Sequence, residues 1–148
     1  MIQPAFNSVG TDAARNVEII TVLAGAGVTG TNIAVGDVVS WDVAASGEAQ
    51  GYTVIKGAAV AAGNALACGI ALDACTVAGR SLRIVKSGAV QANVTASTSS
   101  SGAPLVLGAT AGKLIIYASA THTTSPSMVA VGLDDAGASG LTWVYARF

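Results

Sequence analysis

Along this chain the hydrophobic pattern has a short wavelength. Apolar and β-branched residues either alternate with polar ones or run together briefly, and Gly, Asp, Ser or Asn closes each run. Runs of this kind fall at residues 17–23, 32–35, 38–43, 52–55, 66–72, 81–86, 89–94, 113–118, 128–133 and 141–147. Each predicts a strand. Helices are disfavoured despite the abundant alanine, because 18 glycines leave no long uninterrupted stripe at helical spacing. The expected fold is therefore all-β: a small β-barrel or β-sandwich of short antiparallel strands with an extended N-terminal arm.

Two segments show which faces turn inward. In Ser81-Leu82-Arg83-Ile84-Val85-Lys86, Leu82 and Ile84 share one face, and Ser81, Arg83 and Val85 share the other. The first face predicts core and the second a largely wet surface. In Leu141-Thr142-Trp143-Val144-Tyr145-Ala146-Arg147, Trp143 and Tyr145 lie opposite Thr142, Val144 and Ala146. Neither face is strongly polar, so this strand is expected to be covered on both sides.

The chain also echoes itself. Ile70-Ala-Leu-Asp73, Gly79 and Leu82/Ile84 return as Val131-Gly-Leu-Asp134, Gly140 and Trp143/Tyr145. Upstream of each copy stands a Gly-led strand with an aromatic end, Gly36-Asp-Val-Val-Ser-Trp41 and Gly112-Lys-Leu-Ile-Ile-Tyr117. Two copies are too few for a solenoid, and they predict a pseudo-symmetric barrel with units at about 36–86 and 112–147 inside one domain of residues 17–148. Residues 1–16 lack strand periodicity and read as the arm, with Ile2, Pro4, Phe6 and Arg15 as candidate partner contacts. Residues 95–102, Thr-Ala-Ser-Thr-Ser-Ser-Ser-Gly, form a low-complexity link between the halves.

Composition adds one strong constraint. Only 10 % of the 148 residues are charged, against about 25 % in an ordinary soluble domain. A surface poor in Lys, Glu and Asp is what interface cores look like, so extensive assembly is expected. The net charge of −1 supplies no field for nucleic acid or an anionic membrane. Thr, Ser, Asn and Gly interrupt every long charge-free run, which argues against a membrane span. Met1-Ile-Gln-Pro-Ala-Phe-Asn-Ser has neither a basic n-region nor an apolar h-region, so synthesis in a cytoplasm is expected.

Catalytic chemistry finds little to stand on, and no catalytic, cofactor or metal residue is assigned. The one histidine, His122, lies in the polar loop Thr121-His-Thr-Thr-Ser-Pro126 with no Gly-x-Ser-x-Gly elbow after any strand. Asp37, Asp42, Asp73 and Asp134 sit at strand ends, where aspartate caps turns, and Asp134-Asp135 lacks the further oxygens of a Ca²⁺ loop. Gly25-Ala-Gly27-Val-Thr-Gly30 is followed by a strand-like run instead of the helix that a dinucleotide site requires, and is read as a turn. Arg80, Arg83 and Lys86 lack the stacking aromatics of a nucleic-acid patch. Cys68 and Cys75 have no metal-ligand companions and read as half-buried thiols, a disulfide between them requiring an oxidising compartment.

Gly36-Asp-Val-Val-Ser-Trp-Asp42, Val60-Ala-Ala-Gly63 leading to Cys68-Gly-Ile-Ala-Leu-Asp-Ala74, the Gly79 turn, Val129-Ala-Val-Gly-Leu-Asp-Asp135 and the ending at residues 141–148 together resemble tailed-bacteriophage capsid decoration proteins, also called cement or head-stabilisation proteins. The likeness spans roughly residues 35–148, and this chain looks longer than the familiar single-unit form. The resemblance implies a non-enzymatic β-rich virion protein without cofactors. It would sit on the outer surface of the capsid as a homotrimer and clamp adjacent subunits of the major capsid protein. A second reading is a carbohydrate-binding or fibre-like surface module of a virion, with Trp41 or Trp143 and residues 121–126 as a stacking platform. A third is a small hydrolase using His122.

Overall fold

The computed structural model describes residues 11–12, 16–57, 66–95, 101–118, 128–134 and 140–148. Its strands are β1 (Thr11–Asp12), β2 (Val17–Ala24), β3 (Val38–Trp41), β4 (Thr53–Lys56), β5 (Ala67–Ala71), β6 (Ser81–Val94), β7 (Pro104–Leu107), β8 (Leu114–Ile116), β9 (Ala130–Gly132) and β10 (Gly140–Arg147). Two short 3₁₀ turns, Ala26–Val28 and Gly47–Gly51, are the helical elements among the described residues. The molecule is all-β and barrel-like.

The pairing closes on itself twice. β2 pairs with β4 in parallel, and β4 with β3, β3 with β5 and β5 with the first half of β6 antiparallel. The first half of β6 then returns to β2. The second half of β6 begins the same circuit again. It meets β8 in parallel at Val94↔Leu114, β8 pairs with β7, β7 with β9, β9 with β10, and β10 returns to β6. Two small barrels therefore share one long strand, and each presents the same order of parallel and antiparallel neighbours.

The correspondence extends to single residues. Ala24 beside Val54 in the first barrel matches Val94 beside Leu114 in the second. Val39 opposite Gly69 matches Leu105 opposite Ala130, and Ala71 opposite Ile84 matches Gly132 opposite Val144. Gly36 and Gly102, at φ of 85° and 82°, open the third strand of each barrel, and their N–H groups donate to the carbonyls of Ala71 and Gly132. The inward members of these pairs are buried in both barrels, as alternation demands.

This register keeps one part of the sequence echo, since Val38↔Ile70 matches Pro104↔Val131, and places the rest of the repeat differently. Gly36–Trp41 corresponds to residues 102–107, while Gly112–Tyr117 corresponds to residues 52–57. Leu82 and Ile84 correspond to Thr142 and Val144, since Val22↔Leu82 and Ile20↔Ile84 match Ala92↔Thr142 and Val90↔Val144. Gly140 stands opposite Val94 where Arg80 meets Ala24, so it is not the counterpart of Gly79. The aromatic pair Trp143/Tyr145 drew the echo one residue out of step, and one residue is enough to exchange the faces of a strand. Thr142, Val144 and Ala146 are the buried face, while Trp143 and Tyr145 are half-buried outside.

Three further expectations meet the structure. Residues 81–86 and 89–94 were expected as separate strands, yet β6 runs through both because Gly88, at φ of 112°, bends the chain without reversing it. Residues 32–35 form only an isolated bridge, Ile33↔Cys75. Val85, expected on a wet face, is buried. It points out of the first barrel, but there it joins Val17, Val38 and Ile70 in the apolar cluster that fills the second barrel with Val94, Leu105, Leu107, Leu114 and Val144. The first barrel has its own core of Val22, Val28, Ile33, Val39, Val54, Leu82 and Ile84. The seam between barrels is thus apolar on one side of β6.

On the seam's other side a polar junction joins the barrels. The Asp37 carboxylate is buried and pairs with Lys56 Nζ at 2.9 Å. It also accepts the Ala34 N–H at 2.8 Å and Asn93 Nδ2 at 2.8 Å. Val38 N–H donates to the Gly112 carbonyl, Gly112 N–H to Gly57, and Asn93 N–H to Gly36. Asp37 does cap its turn as the sequence suggested, and the same carboxylate also gathers a lysine and an asparagine from remote strands.

Candidate functional site

The described surface carries its large apolar side chains in groups. At one end of the first barrel, where β3 stops and β5 begins, Trp41, Asp42, Val43, Gly51 and Leu66 line a cleft of about 480 Å³. Val43 is 64 % exposed, Leu66 in the same cleft is 40 % exposed, and Tyr52, next to Gly51, is 43 % exposed. A second groove, about 200 Å³, follows the seam and is lined by residues that include Val17, Ile19, Val35, Leu72, Val90 and Trp143. Leu141 crosses next to Gly36, so close that a Cβ at that glycine would overlap it. These surfaces are nearly free of charge, which is where the compositional deficit comes to rest.

Asp42 is the electrostatic exception. The residue is only 5 % exposed, Oδ1 accepts the Ala44 N–H at 3.0 Å, and its own N–H donates to the Thr53 carbonyl. The carboxylate lies directly over Gly25, where any Cβ would overlap Oδ2. That close approach requires the glycine that follows β2. Asp42 also stands in the wall of a neighbouring hollow of about 360 Å³, formed mostly by small residues including Gly25, Ala26, Ala44, Ala45 and Ala49.

Asp73 behaves differently. Its oxygens take Arg83 Nη2 at 2.7 Å, Arg83 Nε at 3.0 Å and the Arg83 backbone N–H at 2.9 Å. These bonds from Arg83 hold its carboxyl below the usual range, against a smaller opposing effect of burial. A depressed folded-state pKa means the pair contributes above the ordinary Asp value near 3.9 and loses that contribution as pH falls through the folded value. Both side chains are solvent-washed, so Asp73→Asn is expected to cost less than about 1 kcal/mol at pH 7, and the difference from wild type in urea melts should vanish at low pH.

The cysteines are free and buried. Burial pushes the Cys68 thiol up to about 12, with Lys86 pulling weakly the other way. Its Sγ–H faces the Val39 carbonyl at 3.5 Å. Cys68 should therefore ignore a thiol reagent at pH 8 until the protein unfolds, whereas labelling in the native state would contradict its burial.

Ile2, Pro4, Phe6 and Arg15, with most of the proposed arm, lie outside the described residues, as do His122, residues 121–126 and Asp135. The part of the arm that is described, Thr11–Asp12, pairs with the start of β2 through Thr11↔Glu18 and Asp12↔Val17. Trp41 and Trp143 line different clefts. The Gly25–Gly30 run forms a 3₁₀ turn of three residues. Arg83 is exposed and engaged by Asp73, whereas Lys86 is half-buried where the β6 register shifts against β2. No group of three or more metal-ligating side chains occurs among the described residues, and none of their helices is long and apolar enough to cross a membrane. Asp42, Val43 and Leu66 were not foreseen as a surface. No family model matches the chain, and no curated protein matches it in sequence.

Proposed function

We propose that this chain is a structural virion protein that covers the outside of a bacteriophage capsid and clamps adjacent major capsid subunits, acting as a homotrimer without catalysis. The observation that carries this reading is the concentration of apolar side chains at the surface, exposed Val43 and Leu66 with half-buried Trp41 around one cleft and exposed Val35 with half-buried Trp143 along the seam, on a chain with so few charges. Such surface is costly to leave in water and gains from repeated contact with neighbours. The resemblance in residues 35–148 supplies the kind of partner.

The mechanism is additive burial on a rigid platform. A closed double barrel exposes little unpaired strand edge, so contact surfaces keep their shape without inviting fibre growth. A modest contact per protomer, tripled in a trimer and repeated over a lattice, becomes tight through effective concentration. Ile2 and Phe6 would add an anchor on a neighbour. The test is occupancy of purified, expanded shells measured by co-sedimentation: Ile2→Ala with Phe6→Ala should reduce it while far-ultraviolet circular dichroism stays unchanged. Undiminished occupancy would remove the arm from the mechanism, and absence of any shell binding by the wild-type chain would overturn the reading.

A further inference from the structure

We propose that the Trp41–Asp42 cleft receives the ammonium group of a lysine side chain presented by a partner protein. Asp42 is an acid nine-tenths buried; among the described residues its one side-chain hydrogen bond is from Ala44 N–H to Oδ1, and no cation pairs with it. No buried side-chain oxygen among these residues lacks a partner. Oδ2, which has none, therefore keeps some access to solvent, and Asp42 lines both the Trp41 cleft and the hollow beside it. A carboxylate held in a low-dielectric wall and left without a counter-ion is a site waiting for positive charge.

The surroundings select the kind of cation. Trp41, Val43 and Leu66 make an apolar wall against which a four-carbon stem fits, and the face of an indole attracts an ammonium in addition. On its other side Asp42 borders the hollow lined by Gly25, Ala44, Ala45 and Ala49, none of which carries a charge to compete for the carboxylate. Gly25 itself is what lets the carboxylate sit at the floor, since any side chain there would displace it. Turn capping uses Oδ1 alone and leaves Oδ2 unexplained.

This inference rests on the assembly reading only for the source of the lysine. The chemistry is tested first with a probe, Nα-acetyl-lysine methylamide, titrated to millimolar levels into ¹⁵N-labelled protein, with its Nε-acetylated form as the uncharged control. Saturable shifts are expected at the Gly25 and Ala44 amides and the Trp41 indole N–H with the charged probe only. Asp42→Asn keeps the oxygen that accepts the Ala44 N–H, and should weaken the probe roughly tenfold or more. Val43→Lys, at an exposed position, supplies a competing ammonium and should likewise abolish the shifts.

Equal response to both probes, or an unchanged response in these two variants, would overturn the proposal. The second measurement is shell co-sedimentation. Probe binding with no shell binding would refute capsid decoration and leave the lysine site standing, whereas shell binding that survives Asp42→Asn, with no probe response, would do the reverse.

Discussion

Gly88→Ala is expected to destabilise the protein by roughly 2–6 kcal/mol, combining backbone strain with overpacking. Gly88 stands where β6 passes from one barrel to the other, at φ of 112°, which L-residues rarely adopt. An added Cβ would also lie 2.7 Å from Val17 Cα and 3.0 Å from Val17 Cγ2. Backbone cannot yield as a flexible side-chain tip can, so the strand would have to straighten. Straightening would pull one barrel's ladder, Ser81–Val85 on β2, out of line with the other, Ala89–Val94 on β10. Urea unfolding measures this directly, and a loss under about 1 kcal/mol would show that β6 is not bent by necessity.

Lys56→Met should cost about 2–4 kcal/mol, somewhat below the range for removing one partner of a fully buried pair because Lys56 is itself one-fifth exposed. The ammonium would go, but the Asp37 carboxylate would stay buried with only the Ala34 N–H and Asn93 amide to satisfy it. Adding Asp37→Asn to Lys56→Met should restore part of the loss, because the stranded charge is then absent. Denaturant melts of the two single variants and the double variant check this. Strict additivity would mean that the two groups do not act as a pair. The junction also holds Asn93 of the second half of β6, so the single variant should lower hydrogen-exchange protection in β4 and near Gly112 together.

Local chemistry explains how much of this was legible in the sequence. The strands at residues 17–23, 38–43, 66–72 and 141–147 could be read because each is an apolar or β-branched run with Asn, Asp or Gly next to at least one end, and β2, β3, β5 and β10 occupy those places. β7 escaped notice because Pro104-Leu-Val-Leu follows a Ser-rich tract and offers no alternation. Closure into two barrels could not be read at all. It depends on parallel contacts as brief as Leu23↔Thr53 with Ala24↔Val54, and Val94↔Leu114, which join segments far apart in the chain. The duplication is legible in phase at Ile70–Asp73 and Val131–Asp134, but not on β6 and β10, since Trp143 draws the eye although Val144 is the residue that fills the core.

The candidate site was legible only in part. Asp42 next to Trp41 at a strand end was noticed as a turn cap, and Oδ1 does that work. What the sequence could not disclose is that Gly25, from β2's far end, comes beneath the carboxylate, or that Val43 and Leu66 flank the same cleft. Asp37 likewise announces a turn, while its partners Lys56 and Asn93 are set by the register of remote strands. Burial and charge pairing are tertiary properties, and no local spacing encodes them.

The most direct test is a cryo-electron microscopy map of virions from a phage encoding this chain. The account predicts double-barrel density bound to the outer face of the shell, in threefold clusters at the junctions of neighbouring capsid subunits. A fully resolved capsid bearing no such density, with this chain missing from the purified particles, would contradict it.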